Sequence, residues 1–248
     1  MAIERVYRCG RGLHPFSSSF GPGLTVVAGP NGSGKTTLLR MLATTLHPRS
    51  GELRWCEQLV ARDPIPYRRT LGYLPQAFAV YGSWRMAEFL AYVARLKGLP
   101  PNEIPARVET SLQTVQLEGL GNRPVRSAAH GELRRLGIAQ ALLAQPRVLI
   151  LDEPFAGLSP ENRARLLPML ALYARTNLVL LSTHLLDGLA THAGRLLILR
   201  DGSCLADAAP GELLEDAHIE ISPTGEPGPG VSADRALEAA YRHVLSLA

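Results

Sequence analysis

The stretch GPNGSGKT, Gly29 to Thr36, matches the pattern G-x-x-x-x-G-K-[S/T] in full, with an apolar run before it and a helical pattern after it. Gly29, Gly32 and Gly34 let backbone N–H groups curl around phosphate oxygens, with Pro30, Asn31 and Ser33 between them. The start of the following helix adds partial positive charge. Lys35 supplies a point charge suited to β- and γ-phosphates, and the Thr36 hydroxyl is a hard oxygen ligand for Mg²⁺, with Thr37 next in line. Far downstream, VLILDEP places Asp152 and Glu153 at the end of an apolar run. A lone Asp-Glu pair there is usually a cap or a solvated loop. Paired with an upstream phosphate loop, Asp152 is suited to hold Mg²⁺ through water, and Glu153 to orient and polarise an attacking water. Gln76, ending LGYLPQ, and His184, ending LVLLSTH, belong to the same edge of an open α/β sheet, where ligands bind. Gln76 is a further candidate Mg²⁺ ligand.

Such a site needs parallel strands with their carboxyl ends together. LTVVAG (Leu24–Gly29), Val148–Leu151, Leu178–Leu181 and Leu196–Leu199 read as short buried strands. Helical patterns cover Lys35–Leu46, Glu132–Ala144 and Glu161–Ala174, with Pro168 placed to bend the last. Buried strands alternating with helices predict a parallel sheet covered on both faces. From Trp84 to Leu120 the patterns are helical only, an insert riding on the α/β core. LLILRDGSCLAD signals a hairpin turning at Asp201-Gly202, Ser222–Gly230 reads as a linker, and an amphipathic helix closes the chain.

The chain has 248 residues, 46% hydrophobic and 19% charged, which describes a folded protein with ample core. Its 26 Lys+Arg against 22 Asp+Glu give a net charge of only +4. The arginines are scattered, including Arg68-Arg69 and Arg134-Arg135, and read as solvated surface, so nucleic acid is not an expected partner. Cys9, Cys56 and Cys204 are far apart and odd in number, which fits a reducing compartment. No stretch approaches the roughly 18 uninterrupted apolar residues of a membrane span, and MAIERVYRCG lacks a signal-peptide core. The expected location is the cytoplasm.

In combination, the order phosphate loop, YLPQ, helical insert, GELRRLGIAQAL, LILDEP, STH resembles the nucleotide-binding domain of ATP-binding cassette (ABC) proteins, from about Tyr7 to Leu214. It is most similar to the separate ATPase subunits of bacterial ABC exporters. The resemblance implies an α/β phosphate-loop NTPase core with an N-terminal antiparallel β part and a helical insert. It divides the chain into residues 1–75, with the β part and phosphate loop, 76–138, with Gln76 and the helical subdomain, 139–220, the second part of the core, and 221–248, a linker and helix. It implies ATP and Mg²⁺ as ligands, and a head-to-tail dimer that sandwiches ATP. That dimer drives an integral membrane permease subunit from the cytoplasmic face. Tyr7 is an aromatic suited to stacking on adenine, with Phe16 and Phe20 as rivals. The family's signature turn, Leu-Ser-Gly-Gly-Gln or a close variant, acts on the partner's ATP and falls here on Ala128, Ala129, His130, Gly131 and Glu132. The hydroxyl is lost at Ala129, at about 1.5–3 kcal/mol for a hydrogen bond to a charged oxygen. His130 either donates in its place or obstructs the approach. The next family element, TAGLDP, reads FAGLSP, with Phe155 for Thr and Ser159 for Asp. A symmetric pair of copies is the expected dimer, with a different cassette as the alternative. A soluble ABC ATPase or a low-turnover regulatory switch remains the competing reading.

Overall fold

The computed structural model describes residues 3–4, 13–15, 17–217 and 232–247. Tyr7, Cys9, Phe16 and the expected linker Ser222–Gly230 lie outside the described residues. The core is a six-stranded sheet of β3 (Gly23–Ala28), β6 (Leu71–Leu74), β7 (Val148–Leu151), β8 (Leu178–Thr183), β9 (Arg195–Arg200) and β10 (Ser203–Ala208), in the order β10-β9-β3-β8-β7-β6. All neighbours are parallel except β9 and β10, the hairpin that turns at Asp201-Gly202. A small antiparallel sheet of β1 (Ile3–Glu4), β2 (Ser19–Phe20), β4 (Arg54–Trp55) and β5 (Gln58–Leu59) has the order β2-β1-β4-β5.

The central strands are apolar without alternation because both faces are covered. Val26, Leu149 and Leu181 point into one apolar cluster, while Val27, Ile150 and Leu180 point into the other. The first cluster is closed by α3 (Met86–Leu96), α4 (Ile104–Thr114), α5 (His130–Leu142), α6 (Pro160–Ala174) and α8 (Ala233–Ser246), and α7 (Pro210–Asp216) lies against α8. The second is closed by α1 (Lys35–Leu42), through Leu38, Leu39 and Leu42, and by Tyr67 of the short helix α2 (Ile65–Arg69).

Helix α1 is shorter than its apolar spacing predicts. Thr44 takes a left-handed conformation, φ 57°, two residues past its end, so Leu46 packs from outside the helix. Helix α6 continues as one element past Pro168, which lies on its exposed side. The helical insert is α3 and α4, with α5 packed against both. Among the described residues no helix is long and apolar enough to cross a membrane.

Candidate nucleotide site

Parallel register puts four strand ends in a row. Leu74 pairs with Leu151, Leu151 with Leu181, and Ala28 with Thr183. Gly29, Gln76, Asp152, Glu153 and His184 therefore follow directly from one edge of the sheet.

The phosphate loop fits only glycine at its root. A Cβ on Gly29 would lie 2.2 Å from the Leu199 carbonyl oxygen and 2.6 Å from Ser33 Oγ. The hairpin turn braces the loop from outside, with the Gly202 N–H donating to the Ser33 carbonyl at 3.1 Å. Lys35 is buried, and its ammonium donates to the carbonyls of Gly29 at 2.7 Å and Pro30 at 3.0 Å. Burial pulls its pKa down, and the nearby Glu153 and Asp152 push it back up. A cavity of about 420 Å³ opens in front, lined by Asn31, Gly32, Ser33, Gly34, Lys35, Thr36, Thr37, Gln76 and Glu153. Gly29 and Pro30 serve Lys35 with their carbonyls and do not line it.

Asp152 is fully buried beneath the cavity. Its Oδ1 accepts from Ser182 Oγ at 2.6 Å and from Thr36 Oγ1 at 3.2 Å. Its Oδ2 is buried without a partner, an uncompensated carboxylate oxygen beside a hydroxyl, which is the hard-oxygen chemistry Mg²⁺ takes.

Glu153 turns the chain out of the strand at φ 50°, a left-handed conformation that costs about 1–2 kcal/mol for a non-glycine residue. Ser182 and Arg134 hold it there. Its N–H donates to Ser182 Oγ at 2.8 Å, and its carbonyl accepts from the Arg134 guanidinium at 2.7 Å. The carboxylate meets His184 Nδ1 at 3.2 Å from each oxygen. A carboxylate oxygen accepts, so in this contact Nδ1 is the donor. Glu153 can thus take a proton from a water while His184 fixes its orientation.

Two residues outside the expected site, Arg134 and Ser182, hold this edge together. Arg134 is not solvated surface. It is buried on the α5 face with Ile138 and Ala141, and it donates to the carbonyls of Pro75, Gln76, Asp152 and Glu153, joining the ends of β6 and β7. Burial lowers its pKa, and Asp152 and Glu153 oppose that. Its spacing to Ile138 was the available signal, an Arg in an apolar helical stripe. Ser182 is the other, a polar residue inside an apolar strand. Of the remaining arginine pairs, Arg68 donates to Thr44 and Arg135 to the Val115 and Gln116 carbonyls. Phe20 is fully buried under the Arg195 guanidinium, which removes it as an adenine platform.

The turn before α5 stands apart. Ala129 is the N-cap and has no oxygen to offer, so only Glu132 caps, accepting the Ala129 N–H at 2.8 Å while Arg123 pairs with it at 2.9 Å. His130 is exposed, and its ring lies on Gly157 of its own chain. A Cβ on Gly157 would meet His130 Cδ2 at 2.2 Å. Ser159, where the family has Asp, caps α6 by accepting the Asn162 N–H at 3.3 Å. Gly131 sits between this loop and the helix, its Cβ position 3.3 Å from the Gly157 carbonyl oxygen.

The ABC transporter family model matches residues 13–156, more than half of the chain, and spans both the phosphate loop and the Asp152-Glu153 strand. The chain belongs to the ABC transporter family. It is similar to the uncharacterized ABC transporter ATP-binding protein YxlF of Bacillus subtilis, 39% identical over 70% of this chain and 57% of that protein. It is also similar to the Nod factor export ATP-binding protein I of Burkholderia thailandensis, 36% identical over 75% of this chain and 62% of that one. The chain thus matches about three fifths of the length of these relatives. A solved structure of an ATP-binding subunit of an ABC transporter superposes with a TM-score of 0.83 over 99% of both chains at 23% identity, which identifies the same fold. ATP-binding subunits of this family are ATPases.

Proposed function

We propose that this chain binds Mg-ATP and hydrolyses it to drive a separate membrane subunit of an exporter. The observation that carries this reading is the cavity shared by Lys35, Thr36, Gln76 and Glu153, with His184 against the Glu153 carboxylate and the half-satisfied Asp152 beneath. Lys35 and the loop amides hold the phosphates. Thr36, Gln76 and, through water, Asp152 would hold Mg²⁺, which supplies charge neutralisation on the phosphates. Glu153 aligns a water in line with the γ-phosphorus and accepts its proton as the bond to the bridging oxygen breaks and ADP leaves. His184 keeps the carboxylate aimed.

Export is the process named for the Burkholderia relative, and the reading extends it to this chain. Support for a membrane partner comes from a hollow of about 500 Å³ just beyond Gln76, bordered by Val80, Tyr81, Trp84, Phe89 and Tyr92. Tyr81 is 79% and Tyr92 45% exposed, an apolar surface that a docking subunit would cover. The subunit would sit on the cytoplasmic face, as a head-to-tail dimer around ATP. The turn at Ala129, which lacks a side-chain oxygen, and the seating of His130 favour a second reading, a low-turnover ATP switch.

Glu153→Gln decides the catalytic part. ATP affinity should stay within about twofold while turnover falls at least a hundredfold, the range for losing a general base. Retained turnover removes Glu153 from the role. Turnover measured with the membrane subunit present separates the motor from the switch.

A further inference from the structure

His184 is carried into the site by the segment Leu185–Ala193, which joins β8 to β9 without helix or strand. Its shape is imposed from outside. Arg163 of α6 donates to the carbonyls of Leu185, at 3.1 Å, and Asp187. The same guanidinium lies 5.4 Å above the centre of the Phe155 ring, two residues beyond Glu153. The Arg163 side chain is only 13% exposed, and its Nε is buried without a partner. On the far side, Asp234 in the first turn of α8 accepts the Ala190 N–H at 3.2 Å. Leu186 and Leu189 are buried in the same apolar cluster as Leu237 and Ala240 of α8.

Arg163 therefore touches the loop that leaves Glu153 and the loop that leaves His184 at once. One nitrogen of the guanidinium, Nη2, donates to both carbonyls, and the planar group lying over Phe155 keeps that nitrogen in place in a way a flexible ammonium does not. We infer that Arg163 is a positioning residue for the Glu153–His184 pair, and that helix α8 bears on the same segment through Asp234, so that the C-terminal region sets the rate of ATP hydrolysis. The inference rests on the catalytic reading of Glu153 and His184 above. Without Arg163, two carbonyls lose their donor and the residue after His184 is free to move, and a shift of about 1 Å at a reacting group is worth up to about a hundredfold in rate.

The test is steady-state hydrolysis of ATP by the full chain, with kcat, KM and thermal midpoint measured for Arg163→Ala, Arg163→Lys and Asp234→Ala. Each is made in the native and in the His184→Ala background. Arg163→Ala should lower kcat about tenfold or more with KM unchanged, Arg163→Lys should recover part of it, and Asp234→Ala should cost about two- to threefold. All three costs should disappear in the His184→Ala background, since they act through that imidazole. Equal losses in both backgrounds, or changes in KM and thermal midpoint alone, overturn the inference while leaving the role of His184 intact. A His184→Ala chain that hydrolyses ATP normally overturns both.

Discussion

Asp152 at the sheet edge is wholly buried, and its neighbours Thr36, Ser182 and Arg134 are each tied to another part of the core. His130 at the head of α5 is exposed, and Ala129 before it has no polar side-chain atom. By family resemblance both regions face phosphate, one in its own chain and one across a dimer. The difference lies in what else each residue does. At the sheet edge the groups suited to chemistry also satisfy buried polar atoms, so removing one leaves others unpaired. At the turn, Glu132 and Arg123 hold the helix start through the Ala129 backbone N–H, with no hydrogen bond from the side chains of Ala128 or Ala129. The turn can change without unfolding α5, and the sheet edge cannot.

The largest effect that sharpens this contrast is at Arg134. Arg134→Met removes the donor to four carbonyls at the ends of β6 and β7. The buried carbonyls then lack partners, at about 3 kcal/mol in all. The thermal midpoint should fall by roughly 6–12 °C, more than for any single change at Ala129 or His130. Calorimetry of the two sets side by side checks it. A loss at Arg134 no greater than at the turn would erase the distinction.

The uneven legibility of the sequence has the same origin. The strands and the loop were readable because they obey local rules: unbroken apolar runs for strands buried on both faces, and glycines where the backbone must close on phosphate. The Asp201-Gly202 turn followed from residues that accept positive φ, and both adopt it. What escaped is non-local. Arg134 lies 58 residues from Gln76 and 19 from Glu153, and nothing near it in the chain says that its donors have acceptors there. Ser182 and Arg163 escaped for the same reason. The departures at Ala129 and His130 were visible as letters, but the seat of His130 on Gly157 was not, since it depends on how α5 meets the loop after β7.

That seat gives a smaller effect. Gly157 has φ 74°, and the His130 ring fills the space a side chain there would need. Gly157→Ala should cost about 1–2 kcal/mol from the left-handed backbone alone. The exposed imidazole swings aside at little further cost. Adding His130→Gly should therefore recover less than half of the loss. Urea unfolding of the two single variants and the pair measures the coupling. Full recovery would make the ring contact the main tie between the turn and its loop, and bring the two regions closer in kind than the comparison above allows.

The smallest effect is the most informative about function. Ala129→Ser returns an oxygen to the N-cap of α5, where Ser in place of Ala adds about 1 kcal/mol of stability. Combined with His130→Gly, it also returns the hydroxyl and the open turn that the family presents to a partner's ATP. In a symmetric dimer both sites contain the altered turn, so the double variant should raise ATP-dependent dimerisation and turnover several-fold, less than the tenfold that about 1.4 kcal/mol would give. Glu153→Gln traps the closed dimer, and its fraction against ATP concentration is the readout. The stability gain is expected in any assembly, because the cap is internal to the helix. The turnover gain requires that the turn meet a nucleotide. A chain that gains the stability and not the turnover either pairs with a different cassette or already uses His130 as a donor. Mixing the native chain with an equal amount of a Lys35→Ala copy divides those cases, since only a symmetric dimer loses activity by mixing. Lost activity on mixing, with no gain from the double variant, would make His130 a working contact and end the description of this turn as the weaker half.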